Sequence, residues 1–126
     1  MIQPQTILKV SDNSGAKTVK CIKVLNGFKK KYAKLGDYII VSVQQLRNTF
    51  KATSKVKKGE VYKALIIRSN TGYIKKNGIK TIFNENSVIL INKQLAPIST
   101  RIIGPLPQFF KKKKFQQFTS LSFGTI

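Results

Sequence analysis

Four groups of lysines punctuate the sequence: Lys29, Lys30, Lys31 and Lys34; then Lys51, Lys55, Lys57 and Lys58; then Lys75, Lys76 and Lys80; and finally Lys111 to Lys114. Each ammonium is a compact charge with three donors, and what such groups do well is neutralise phosphate. Within YIKKNGIKTIF, from Tyr73 to Phe83, the arrangement works against the chain itself. The pair Asn77-Gly78 signals a two-residue hairpin loop, because both turn positions of that loop need positive φ. The register that follows sets Lys76 opposite Ile79, Lys75 opposite Lys80, Ile74 opposite Thr81 and Tyr73 opposite Ile82. Like charges directly across a ladder are destabilising, so the expectation is that an outside anion lies against Lys75 and Lys80.

Other chemistry lacks its parts. There is no histidine, hence no proton shuttle near neutral pH, no imidazole metal ligand and no Ser-His or Cys-His pair. Asp12, Asp37, Glu60 and Glu85 are each more than twenty residues from the next and form no local motif. Cys21 is the only cysteine, which excludes an internal disulfide and a cysteine-pair zinc site, and its place in the strand-like TVKCIKVL points to burial. The expectation is a protein that is no enzyme and needs no metal or cofactor.

Composition agrees. The 126 residues carry 24 Lys+Arg against 4 Asp+Glu, a formal net charge of +20, with 41% hydrophobic residues. One domain with a normal core fits that length and hydrophobic share. So few acids cannot neutralise the cations within the chain, and a nucleic acid is the simplest counter-ion. No membrane span is expected, since no run of about 18 apolar residues occurs and aliphatic stretches such as VILI suit strands. MIQPQTILKV carries neither a secretory signal nor a transit segment, so the protein is expected to work where it is made. Only Arg47, Arg68 and Arg101 are arginines, leaving 21 lysines beside many Ile, Asn and Phe, residues with AT-rich codons. An AT-biased genome follows, with a mitochondrion as the expected home and a plastid or low-GC bacterium as the alternatives.

The elements that must position the lysines have a period of two. Strands are predicted over 6–10, 17–25, 37–46, 60–69, the two arms of the 73–83 hairpin, and 86–92. Turn residues at SDNSG, NGF, KLGD and KKGE fall at intervals typical of a small β-barrel. After Asn92 the chain is broken by proline, and FFKKKKFQQFTSLSF suits one or two amphipathic helical turns. The lysines gather at loops and edges rather than mid-strand, which favours a wide phosphate-contacting footprint on folded RNA. Phe28, Tyr32, Tyr38, Tyr62 and Phe83 sit among apolar positions and are expected in the core rather than as stacking platforms. The other readings are a free-standing RNA chaperone or single-strand binder, and a membrane-active tail built on FFKKKKFQQF.

MIQPQTILKVSDNSGAK, CIKVL, YAKLGDYI, KVKKGEVYKALIIR and STRIIGP resemble, in order and from Met1 to about Leu121, the universal large-subunit ribosomal protein fourteen family, of bacterial or organellar type. The densest match is Ala64-Leu65-Ile66-Ile67, a spacer, Asn77-Gly78, Phe83, Asn86 and Ile89-Leu90. The resemblance implies an all-β fold: a five-stranded β-barrel over about 1–93 with a projecting hairpin at 73–83, and a C-terminal segment of loops and short helices over about 94–126. It implies a structural constituent of the ribosome that binds large-subunit ribosomal RNA. The residues expected on RNA are Lys17, Lys29, Lys30, Lys31, Lys34, Lys55, Lys57, Lys58, Lys75, Lys76 and Lys80. It places Thr100, Arg101, Lys114, Gln117 and Ser120 on the subunit interface, beside a neighbouring large-subunit protein, bridging to small-subunit ribosomal RNA and open to an anti-association factor. Gln117 stands where the family often has a basic residue, QFFKKKK replaces a mixed-charge stretch, and the 47–59 loop is longer than the bacterial pattern.

A domain that repels itself is stabilised by screening ions. The thermal midpoint of the purified protein is expected to rise from low to moderate salt; a midpoint indifferent to ionic strength would contradict the charge-repulsion account.

Overall fold

The computed structural model describes residues 1–47 and 53–126, so Lys51 and part of the lengthened 47–59 loop lie outside the described residues. Among the described residues there are seven strands: β1 (Ile7–Val10), β2 (Ala16–Val24), β3 (Tyr38–Leu46), β4 (Val61–Arg68), β5 (Tyr73–Ile74), β6 (Lys80–Thr81) and β7 (Ser87–Ile91). β1, β2, β3, β4 and β7 form a closed five-stranded barrel, and β5 with β6 makes the separate hairpin. All barrel pairings are antiparallel except β7 with β1, whose parallel pairing closes the barrel and leaves no edge exposed. The expected fold class is therefore observed.

The residues explain the closure. In β2 the buried residues are Ala16, Val19, Cys21 and Val24, and the departure from strict alternation between Cys21 and Val24 coincides with a register shift between Cys21 and Lys23. An extra residue at such a bulge returns the next side chain to the interior. The continuous apolar runs of β4 and β7 are explained by burial on both faces. Ala64, Ile66, Val88 and Leu90 fill the barrel, whereas Leu65, Ile67, Ile89 and Ile91 face outward into a second apolar cluster.

That second cluster is covered by the C-terminal segment. Two 3-10 turns, Gln108–Lys111 and Lys113–Phe115, lead into α1 (Gln116–Leu121). Phe110, Phe115 and Phe118 are buried there, while Lys111 to Lys114 stay exposed. Burying three such side chains contributes roughly 1.5–3 kcal/mol each, enough to dock a segment this short on secondary structure. The apolar face that a membrane-active tail would use is thus consumed within the fold, and among the described residues no helix is long and apolar enough to cross a membrane.

The hairpin departs from the expected register. Tyr73 pairs with Thr81 and Ile74 with Lys80, and Lys75 N–H donates to the Ile79 carbonyl at 2.9 Å. Lys80 therefore opposes Ile74, not Lys75. The loop is three residues long: Gly78 N–H donates to the Lys75 carbonyl at 3.0 Å, Gly78 alone takes positive φ (+86°), and Asn77 Oδ1 accepts Ile79 N–H at 3.2 Å. This is a type I turn with a glycine bulge, the other loop that Asn-Gly can serve. Lys75 and Lys80 fall on opposite faces of the hairpin, so the cross-strand repulsion inferred from the sequence is absent, and Lys80→Glu relieves no cross-strand lysine pair in the free protein.

The two turns differ in a measurable way. Gly78→Ala, forcing a Cβ into the left-handed region, is expected to destabilise the hairpin by about 1 kcal/mol and speed exchange of the Lys75 and Gly78 amides about five-fold. Asn77→Ala should cost less, since only a side-chain hydrogen bond is lost. Equal costs at both positions, read by amide exchange, would restore the two-residue loop.

Candidate nucleic-acid interface

The interface is shaped by what the four acids do. Asp12 is fully buried; one carboxylate oxygen accepts from the Ser14 N–H and hydroxyl, and the other accepts Leu90 N–H at 3.0 Å, tying the first turn to β7. Burial pushes its pKa up, against the hydrogen bonds from Ser14 and Leu90. Asp37 accepts from Lys30 Nζ at 2.6 Å and from Lys34 N–H at 2.8 Å. Glu60 accepts Lys57 N–H at 3.2 Å and the Tyr62 hydroxyl. The Tyr62 hydrogen bond leads in holding the Glu60 pKa down, while burial and that same bond push Tyr62 up to about 12. Glu85 binds Lys9 Nζ at 2.6 Å, accepts the Ser87 hydroxyl at 3.2 Å and lies 3.8 Å from Arg68. Each acid is spent on a turn or strand end.

Most of the cations expected on RNA lie on loops at the ends of the barrel and on the hairpin, whereas Lys20, Lys23 and Lys63 sit within β2 and β4. The β2 to β3 pairing runs from Val24↔Ile39 to Ala16↔Leu46, so the 25–37 loop leaves one end and Lys17 stands at the other. Lys55 joins Lys17's end, its N–H donating to the Ser14 carbonyl at 3.0 Å, and Lys57 and Lys58 follow it. Lys29, Lys31 and Lys34 project from the 25–37 loop, and Lys75, Lys76 and Lys80 from the hairpin. Lys17, Lys29, Lys31, Lys34, Lys55, Lys57, Lys58, Lys76 and Lys80 are exposed and Lys75 is half-buried. Lys30 differs: half-buried and bound to Asp37, it holds the loop that presents its neighbours.

Two aromatic residues were placed wrongly from the sequence. Phe28 is 92% exposed and Tyr32 47% exposed, standing outside the core on the lysine loop, whereas Tyr38 is buried as expected and Tyr62 and Phe83 are half-buried. Alternation with apolar neighbours cannot distinguish a strand from a loop that merely contains aromatics. Cys21 is buried in the barrel, as its strand position implied.

The five C-terminal residues do gather. Lys114, Gln117 and Ser120 recur every third position, all exposed, opposite the buried Phe115 and Phe118. Lys114 Nζ lies 5.4 Å from the Tyr38 ring centroid. Thr100 and Arg101 adjoin the far end of α1, because Ile102 N–H donates to the Leu121 carbonyl at 3.2 Å. Asn13 Oδ1 accepts the Thr100 and Arg101 N–H groups at 3.0 and 3.2 Å, and Asn13 Nδ2 donates to Thr100 Oγ1 at 2.9 Å.

Arg68 was missed by the sequence reading. Its guanidinium is buried, donating to the carbonyls of Ile103 (3.0 Å) and Pro105 (3.2 Å) and to Ser11 Oγ, so it fastens the C-terminal segment to the barrel. Arg47 likewise donates to the Val10 carbonyl at 3.0 Å. A planar fork reaches several acceptors that one ammonium cannot, and the sequence carries the signal: arginine persists at few positions in a lysine-biased chain.

A closed barrel with its acids consumed internally, its lysines on projecting loops and, among the described residues, no group of metal-binding side chains defines a small cationic β-barrel protein. The whole chain, residues 1–126, matches the family described as ribosomal protein L14p/L23e. It is 52% identical over 122 residues, 97% of each chain, to large ribosomal subunit protein uL14 of Carsonella ruddii (strain PV). The chain belongs to the ribosomal protein L14p/L23e family, and its role is the structural one of a ribosomal protein.

The hydrogen bond from Lys9 leads in holding the Glu85 carboxyl below the usual glutamate range. A carboxyl depressed by folding adds stability above its unfolded pKa, and that stability is lost as pH falls through the folded value. Below about pH 4.3 the parent should lose stability that Glu85→Gln never had, a difference under about 1 kcal/mol for a pair this exposed. Parallel midpoint curves for parent and variant from pH 6 to 3 would contradict the pairing.

Proposed function

We propose that the protein is a structural constituent of the large ribosomal subunit, holding large-subunit ribosomal RNA with the lysines at both barrel ends. The relative's name supplies the subunit. The observation that carries the RNA reading is that all four acids are engaged by groups of this chain, while Lys17, Lys29, Lys31, Lys34, Lys55, Lys57, Lys58, Lys76 and Lys80 stand exposed. Lys75 adds a half-buried cation, and Lys30 acts through loop geometry. Loops that carry cations at both ends of a rigid barrel suit phosphates spread over a folded RNA surface.

Thr100, Arg101, Lys114, Gln117 and Ser120 form the outward surface in this reading. Arg101 and Lys114 supply two charges for small-subunit ribosomal RNA at an intersubunit bridge, flanked by polar Thr100, Gln117 and Ser120. A neighbouring large-subunit protein and an anti-association factor are further partners for this face. The AT-biased residue choice fits a mitochondrial, plastid or low-GC bacterial genome, and the 52% identity to the Carsonella protein gives weight to the bacterial alternative over the mitochondrion expected from the sequence. The identity of the neighbouring genes decides among them.

Arg101→Ala with Lys114→Ala should leave large subunits assembled and weaken subunit joining, on the order of ten-fold for two lost phosphate contacts. Lys29→Ala with Lys31→Ala and Lys34→Ala should act earlier, lowering incorporation into large subunits. Gradient sedimentation in high salt reads both. Failure of the first variant to enter large subunits would refute the interface assignment, and a parent protein that washes off would favour a free-standing RNA chaperone.

A further inference from the structure

Between the hairpin and the first C-terminal 3-10 turn lies a cavity of about 620 Å³. Tyr73, Lys75 and Lys76 form one wall, and Phe109, Lys111 and Lys112 the other. Tyr73 Oη joins them, accepting Gln108 N–H at 2.9 Å and donating to the Ile126 carbonyl at 2.9 Å. No acid lines the space. Phe109 is half-buried against Phe110 and Phe115, with ring centroids 5.5 and 6.0 Å away, and a Cβ at Gly36 would collide with its ring. The ring is therefore backed on the protein side, and Lys112 Nζ lies 4.4 Å from its centroid.

We propose that this cavity takes one unpaired nucleotide of ribosomal RNA, its base against the Phe109 ring and its flanking phosphates between Lys75 and Lys76 on one wall and Lys111 and Lys112 on the other. The proposal rests on the RNA reading above and adds to it a single-stranded contact. The volume suits a ligand site, commonly about 300–1,000 Å³. Every base has a flat π face, so a ring framed by cations accepts an unpaired nucleotide with little regard to sequence. Lys112 is exposed, and a cation held over a ring at the surface is weakly bound, so Lys112 yields the ring to the base and moves to phosphate. Duplex RNA keeps its bases stacked inside and offers backbone, 2′-hydroxyls and base edges but no free base face to such a ring. An acidic peptide offers the charge without the flat face.

The test compares a uridine hexanucleotide, an RNA duplex with the same number of phosphates and a hexaglutamate peptide, each binding the free full-length protein at one moderate salt concentration. The hexanucleotide should bind most tightly, and Phe109→Leu should weaken it about ten-fold while changing duplex binding less than two-fold. A hexanucleotide carrying 4-thiouridine, irradiated with the unaltered protein, should crosslink within 73–76 or 108–112, which keeps the test independent of the variant's folding. Crosslinks confined to the 29–34 loop, equal binding of the peptide, or an indifferent Phe109→Leu would each overturn the cavity's role. If large-subunit ribosomal RNA still binds in those cases, only the cavity proposal fails; if that RNA does not bind either, the RNA reading itself fails.

Discussion

Scarcity of negative charge is the constraint on which the rest of this structure depends. With 24 basic residues and four acids, each carboxylate used inside the fold leaves the exterior more positive. Three of the acids hold backbone N–H groups, Asp12 across the first turn to β7, Asp37 in the 25–37 loop and Glu60 before β4, while Glu85 before β7 binds the side chains of Lys9 and Ser87. Turn N–H groups need acceptors, and a carboxylate serves several at once. Apart from Lys30, which pairs with Asp37, the lysines of the 25–37 loop then project without an acid partner, and their repulsion is tolerated because the closed barrel cannot splay.

The second constraint is the double burial of β4 and β7. Strands apolar on both faces need a cover outside the barrel, and the C-terminal segment supplies it with Phe110, Phe115 and Phe118. Arg68, at the end of β4, adds the polar half of that attachment through Ile103, Pro105 and Ser11. Cover and attachment together settle which residues face out: the Phe positions turn in, so Lys114, Gln117 and Ser120 turn to the surface. Scaffold and interface are thus one packing arrangement.

Most of the barrel was legible in the sequence because period-two patterning and turn residues mark strands directly, and the 60–69 and 86–92 predictions differ from β4 and β7 by one residue at each end. The hairpin register was not legible, since Asn-Gly serves two loops whose registers differ by one position on one arm. Phe28 and Tyr32 were assigned to the core because hydrophobicity alone does not report burial in a loop. The role of Arg68 depends on carbonyls 35 and 37 residues away, which no local pattern encodes. Lysine clusters and the family resemblance marked the candidate surfaces, but Lys30's tie to Asp37 and the meeting of Tyr73 with Gln108 needed coordinates.

The central claim is that uncompensated lysine charge is matched by RNA phosphate. Its most direct measurement is the salt dependence of binding between the purified protein and its own large-subunit ribosomal RNA. Many lysines displacing counter-ions together predict a slope of log affinity against log salt of about −5 or steeper. A slope shallower than about −2 would mean that few lysines meet phosphate and would contradict the account.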